Sequence, residues 1–177
     1  LFNCSANVRH FEADDLLDKV NVEGTGNIAA YCLAKNIKLV HISTVSVAGL
    51  SLDGKPNPFE PMNEHMLYFG QQMDNKYMLS KFRAERLVFE YMLRGLKAKI
   101  MRVGNLMARN QDGEFQINLK ANSFANKLRA YNTIGCISYE DSGVSVELSP
   151  IDFTAEAILL LAQTPDRCCL FHPFSNR

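Results

Sequence analysis

Lys38-Leu39-Val40-His41-Ile42-Ser43 is a short apolar run that gives way to the small and polar residues Thr44 to Gly49. A run of this length without alternation reads as a parallel-sheet strand covered on both faces. Before it, Asp14 to Asn36 puts Leu17, Asn21, Gly24, Ile28 and Tyr31 at helical spacing, with Asp14, Asp18, Lys19 and Glu23 largely off that stripe. This predicts an amphipathic helix packed on the strand. After it, Leu50 to Gly70 carries Gly54, Pro56, Pro58 and Pro61, a long surface loop of the kind that tends to be functional.

A second helix is predicted from about Gln72 to Leu93. It offers Tyr77, Leu79, Phe82, Leu87, Phe89, Tyr91 and Met92 to the core and Arg83, Glu85, Arg86 and Glu90 to water, with Gly95 where it stops. Lys99 to Val103 reads as the next strand. Asn110 to Glu147 is polar and irregular, partly helical from Ser123 to Tyr131. Ser149-Pro150-Ile151-Asp152 has the residues of a capping box and opens a last helix through Gln163. Cys168 to His172 closes the chain as a strand. Strand, helix, strand, helix, strand, insertion, helix, strand implies an α/β domain with a largely parallel sheet.

Composition narrows the function classes. The 177 residues are 47% hydrophobic and 21% charged, enough for one globular domain that needs neither disulfides nor a structural metal. Nineteen basic residues balance nineteen acidic ones, so no net field favours nucleic acid or an anionic membrane, and no apolar run approaches a membrane span. Cys4, Cys32, Cys136, Cys168 and Cys169 are odd in number and irregular in spacing, which reads as reduced thiols in a cytoplasmic protein. Cys168, Cys169 and His172 offer only three ligands, two of them pointing to opposite strand faces, so no metal site is expected. His10 and His41 read as packing or surface residues. Leu1 to Ala6 reads as the end of a strand already in progress, so the chain is expected to be a piece of something longer.

Gly24-Thr25-Gly26-Asn27-Ile28-Ala29 matches G-x-G-x-x-A, whose glycines let a turn approach a pyrophosphate at a helix N-terminus. The preceding residues are helical in spacing rather than a buried strand, and no acidic residue ends the next strand. Small residues that let the helix pack closely on the sheet are the better reading. Tyr-x-x-x-Lys occurs twice, and a tyrosine and lysine four apart share a helix face where the ammonium can lower the phenol's pKa. Tyr31-x-x-x-Lys35 ends the first helix, where lysine complements the dipole. Tyr77-x-x-x-Lys81 keeps different company: Ser43 to Gly49 and Arg102 to Asn105 end neighbouring strands on one sheet edge, where open parallel sheets place their ligands.

Asn3 to Phe11, Asn21 to Thr25, Ile42 to Gly49 and Asn75 to Glu85, continued by Arg102 to Leu106 and Ser149 to Asp152, closely resemble extended short-chain dehydrogenases. Within these they look most like the terminal thioester reductase domains of nonribosomal peptide synthetases. The resemblance implies a Rossmann-like doubly wound parallel sheet, built here from residues 1–105 and 150–177, with 106–149 as a substrate-binding portion. The family's first strand, glycine-rich phosphate loop and cofactor-selecting unit would precede Leu1.

By the same resemblance Tyr77 would protonate the oxygen of a carbonyl receiving hydride. Lys81 would lower the phenol's pKa and hold the nicotinamide ribose, and Thr44 would donate a hydrogen bond to the developing oxyanion. Asn21 would hold a water beside the lysine, with a satisfied buried amide as its other reading. Asn3 and Ala6 would lie under the cofactor and Asn105 near the nicotinamide or substrate. Phe124, Asn126 and Tyr131 are candidates for a substrate channel. The implied cofactor is NADPH, with NADH the alternative. The implied partner is a phosphopantetheinyl carrier domain, met by Lys120, Lys127 and Arg129. The implied reaction is reductive release of an acyl or peptidyl thioester as an aldehyde, or onward to the alcohol. The rival readings are an extended short-chain dehydrogenase acting on a free metabolite and a catalytically silent α/β fragment. Without the phosphate loop, the chain alone is expected to be inactive and to self-associate through an exposed sheet edge.

Overall fold

The computed structural model describes residues 1–8, 15–49, 62–68, 70–73, 75–117, 122–137 and 147–175. Four parallel strands form the main sheet in the order β1 (Phe2–Asn3), β2 (Leu39–Thr44), β3 (Ala98–Val103) and β6 (Leu170–Phe171). The β2–β3 register runs from Leu39 opposite Ala98 to Thr44 opposite Val103. A second, two-stranded parallel sheet joins β4 (Leu106–Met107) to β5 (Ser149–Pro150). The helices are α1 (Gly24–Ala34), α2 (Lys76–Leu93), α3 (Ser123–Ile134) and α4 (Ile151–Ala162). The parallel Rossmann-like α/β class is as the sequence implied.

Leu39, Ala98 and Ile100 from the strands meet Ala29 and Cys32 of α1 and Val88 of α2 in one buried cluster with Leu96 and Leu170. α1 and α2 therefore share one face of the sheet. Gly24 to Ala29 lies wholly inside α1, so it forms no turn after a strand. Its small residues serve close packing: Ala29 meets the sheet, as expected, and Gly26 also admits the neighbouring helix, where a Cβ would come 2.9 Å from Leu87 Cδ2 on α2.

Three local expectations are corrected. A π-helical turn, Asp18–Glu23, feeds directly into α1. Its wider i→i+5 closure carries the buried face forward, so Leu17 and Asn21 are followed by Thr25, Ala29 and Cys32 rather than by Gly24, Ile28 and Tyr31. Tyr31 is 53% exposed. Helix α2 starts at Lys76, later than Gln72, because the Asn75 side chain accepts from the backbone N–H groups of Tyr77 and Met78. The Ser149 capping box does not form. Ser149 lies in β5, where its hydroxyl donates to Glu147 and accepts from the Ser175 N–H, and Asp152 instead accepts from the N–H groups of Asn110 and Gln111.

Glu85 is the largest departure, since it is fully buried rather than turned to water. The guanidinium of Arg102 on β3 donates to both its carboxylate oxygens, with Nη2 at 2.7 Å from Oε2. The same guanidinium donates to Met66 O at 2.9 Å and lies 3.3 Å from His172 Nε2. One side chain thus ties α2, β3, the segment at 62–66 and the chain after β6 together. The guanidinium beside His172 also makes that ring a poor cation ligand. All five cysteines are free thiols, and none of the described helices is long and apolar enough to cross a membrane.

Candidate active site

Thr44 is the last residue of β2 and Val103 the last of β3, so the sheet ends there and its carboxyl edge opens into a cleft of about 550 Å³. Three groups of residues wall it: Cys4, Ala6 and Val8 on the β1 side, Ser43, Thr44, Tyr77 and Lys81 in the middle, and Gly104 to Met107 with Gln116, Phe124 and Lys127 beyond β3. The backbone turns at Thr44 because its side chain caps a short 3₁₀ turn, Val45–Ala48, accepting from Ser46 N–H. Gly49 follows with φ of +60°, and a side chain there would collide with Gln72 O.

Tyr77 and Lys81 reach the cleft from successive turns of α2. Tyr77 shares a side-chain hydrogen bond with Thr44. Burial pushes the phenol above its ordinary pKa, and the bond with Thr44 pulls the other way. The expected lowering is thus not found: burial outweighs it. Lys81 is 3% exposed, and its Nζ donates to Ile42 O at 2.7 Å. Burial brings its pKa down to about 8, opposed by the charges of Glu85 and Cys4. It therefore stays largely protonated at neutral pH while losing a proton more readily than an ordinary lysine.

The other residues singled out from the sequence divide between the cleft and its support. Ala6, Asn105 and Phe124 line the cleft. Asn105 is set by Glu147, whose carboxylate accepts from Asn105 N–H at 2.6 Å and whose carbonyl accepts from Asn105 Nδ2 at 3.1 Å. Asn21 is 1% exposed. Its Oδ1 accepts from Asn7 N–H at 2.7 Å, and its Nδ2 lies 2.9 Å from both Asn7 O and Ser80 Oγ. It joins the segment after β1 to α2, one residue before Lys81. Asn3 is buried behind the cleft, with Nδ2 at 3.4 Å from Thr25 Oγ1 and 3.2 Å from His41 Nδ1. Asn126 and Tyr131 are not among the residues lining the cleft, Lys127 is, and His10 and Lys120 lie outside the described residues.

His41 is buried, and burial followed by the charge of Lys81 pushes its pKa down to about 3, so the ring is neutral. Because Asn3 Nδ2 donates to Nδ1, the remaining proton sits on Nε2. Cys4 and Gln116 also belong to the cleft and were not singled out, and Ser43, which lines it too, was placed at the sheet edge only as part of the stretch to Gly49. Ser43 had a local signal, a hydroxyl beside the strand's last residue. Gln116 had none, since only the path of the chain after β4 brings it in.

The protein family described as male sterility protein, NAD-binding in kind, matches residues 1–158. Among solved structures, the chain is similar to the thiolation-reductase di-domain of an archaeal non-ribosomal peptide synthetase, at 40% identity and a TM-score of 0.90, over 99% of this chain and 38% of that one. It is similar to the Aureusimine biosynthetic cluster reductase domain at 28% identity and 0.84, over 99% and 45%. It is also similar to the terminal R domain of the myxalamid PKS-NRPS pathway at 25% identity and 0.79, over 99% and 43%. The chain spans less than half the length of each. No curated protein matches.

Proposed function

Because the chain belongs to the male sterility protein family of NAD-binding domains, we propose that it is the catalytic part of a reductase. Its substrate is an acyl or peptidyl thioester held on a phosphopantetheinyl carrier domain, and it releases the acyl group as an aldehyde. The observation that carries this reading is the cleft itself. A protonated phenol, a hydroxyl bonded to it and a buried ammonium meet at the carboxyl edge of a parallel sheet, and the likeness to a thiolation-reductase di-domain supplies the substrate class.

The residues fit the nicotinamide end of a dinucleotide: Lys81 offers donors at the floor of the cleft, and Ala6 leaves room on the β1 side. Gly24 to Ala29, wound into α1 with no strand before it, offers no cradle for the pyrophosphate. NADPH would supply the hydride. Tyr77, protonated at neutral pH, gives its proton to the carbonyl oxygen as negative charge builds there, and Thr44 steadies both phenol and oxyanion. Lys81 favours the phenolate left behind. Addition of hydride and proton gives a hemithioacetal. Its C–S bond breaks, the hydroxyl loses its proton, the sulfur gains one, and aldehyde and carrier thiol result.

The wall beyond β3, where Leu106, Met107, Gln116, Phe124 and Lys127 line the cleft, receives the acyl or peptidyl group, in keeping with 106–149 as a substrate-binding portion. Lys127 and Arg129 on α3 offer positive charge to an acidic carrier surface. Incubating the protein with an acyl-loaded carrier and NADPH tests the reading. Aldehyde formed in step with NADPH consumption supports it, and reduction of free ketones with no action on the thioester overturns it.

A further inference from the structure

Asn105 follows the end of β3 by two residues, lines the cleft, and is gripped by the short segment Glu147 to Ser149. Its N–H donates to the Glu147 carboxylate at 2.6 Å, its carbonyl accepts from Ser149 N–H at 2.9 Å, and its Nδ2 donates to Glu147 O at 3.1 Å. The other carboxylate oxygen of Glu147 accepts from the hydroxyl of Ser149, which is fully buried and accepts in turn from Ser175 N–H. The carboxylate occupies the space that a side chain at position 104 would need, and Gly104 leaves it clear.

An exposed asparagine on a loop ordinarily turns about its side-chain bonds, and this one is held. A backbone carbonyl only accepts, so the flank of the Asn105 amide that meets Glu147 O is its NH2 group, and Oδ1 is fixed on the other flank. Leu106 and Met107 continue from Asn105 into the wall that receives the acyl or peptidyl group. An acceptor held at the start of that wall suits an N–H donor. In a thioester on a phosphopantetheinyl arm the N–H groups belong to amides, either in the arm or in a peptidyl chain.

We propose that Glu147 is a positioning residue, fixing Asn105 so that its Oδ1 accepts a hydrogen bond from an amide N–H of the thioester substrate on the β3 side of the cleft. This rests on the reductase reading, since it takes that wall to receive the substrate.

The test is Asn105→Ala, Glu147→Ala and Glu147→Gln in the protein expressed from its native reading frame. Steady-state kinetics with NADPH compares three synthetic thioesters: S-ethyl octanethioate, which has no amide, octanoyl pantetheine, with amides in the arm, and an S-ethyl N-acetylaminoacyl thioester, with one in the acyl part. Asn105→Ala and Glu147→Ala should raise KM for an amide-bearing thioester about three- to tenfold more than for the amide-free one, and the thioester that responds identifies the source of the amide. Glu147→Gln, still able to accept from Asn105 N–H, should keep that difference under twofold. Asn105→Ala leaves the bonds among Glu147, Ser149 and Ser175 in place, so it decides the question even where Glu147→Ala does not fold. An equal rise in KM on all three thioesters overturns the proposal, since Asn105 would then shape the wall without bonding an amide. Weaker calorimetric affinity for NADPH in Asn105→Ala overturns it too, because the donor would belong to the cofactor. Both results leave the reductase reading standing. Wild-type protein that reduces none of the three overturns the proposal, and if an acyl-loaded carrier is also left untouched the reductase reading falls with it.

Discussion

Asn21 Nδ2 lies 2.9 Å from Ser80 Oγ across the contact between the π-helical turn and α2, and the Ser80 hydroxyl in turn donates to Tyr77 O. The helix that carries Tyr77 and Lys81 is thereby fixed to the segment after β1, because the same Asn21 amide clasps both the N–H and the carbonyl of Asn7. Asn21→Ala should lower turnover through the loss of this alignment, and Asn21→Asp should restore only the bond from Asn7 N–H. Steady-state kinetics with a fold check by circular dichroism measures both.

Tyr77→Phe removes the proposed proton donor and leaves the ring in its packing. Turnover should fall by about 10² to 10⁴ while NADPH affinity changes little. Tyr31→Phe, at an exposed position with the same Tyr-x-x-x-Lys spacing, should stay within a few-fold of wild type. A larger loss at Tyr31 than at Tyr77 would reverse the assignment.

The pH profile follows from Lys81. Its charged form is the useful one, and with a pKa of about 8 that form is lost as pH rises, so kcat should decline above about pH 8. His41, neutral down to about pH 3, should add no limb between pH 5 and 7. For stability the sign is opposite. The cost of burying the ammonium is present at and below pH 8 and fades toward the ordinary lysine pKa of 10.5, so this residue's contribution makes the fold firmer over that interval. Denaturant melts at pH 7.5 and 9.5, compared between wild type and Lys81→Met, isolate it.

Glu85→Ala leaves a buried guanidinium without its counter-charge and should destabilise by about 3–5 kcal/mol. Urea unfolding of the variant gives the value. A cost below 1 kcal/mol would mean that Arg102 finds water or another acceptor.

Gly26→Val puts branched carbons against Leu87 and should cost about 1–3 kcal/mol. NADPH affinity should be unchanged once the variant is folded, because Gly26 is a contact between helices. A large loss of affinity at full stability would assign the glycines to phosphate binding instead.

Much of the fold was legible because the apolar run at Leu39 to Thr44 reads as a covered strand, Lys99 to Val103 reads as the next, and Gly95 marks where α2 stops, whereas the cap at Asn75 was passed over. The candidate site was legible only in part. Tyr77 and Lys81 stood out because a phenol and an ammonium four residues apart share a helix face, and Thr44 through the resemblance to extended short-chain dehydrogenases. Glu85 did not, since a charge on a helix reads as solvated unless its partner is known, and Arg102 is 17 residues away on a different element. The π turn was hidden too. Nothing in Asp18-Lys19-Val20-Asn21-Val22-Glu23 distinguishes an i→i+5 closure from an ordinary one, and packing decides it.

That turn marks the chain by length rather than by composition. Relatives that close an ordinary helical turn between Asp18 and Glu23 would be one residue shorter there, and superposed on this chain they would show a single gap with both flanks in register. In such a relative the side chain opposite Ser80 would swing by about 100°, one residue's rotation about the helix axis, and another residue would have to take over the clasp on the segment after β1. A one-residue gap at this point would therefore sort homologues by how they tether the helix that carries Tyr77 and Lys81, even where their overall identity is too low to group them.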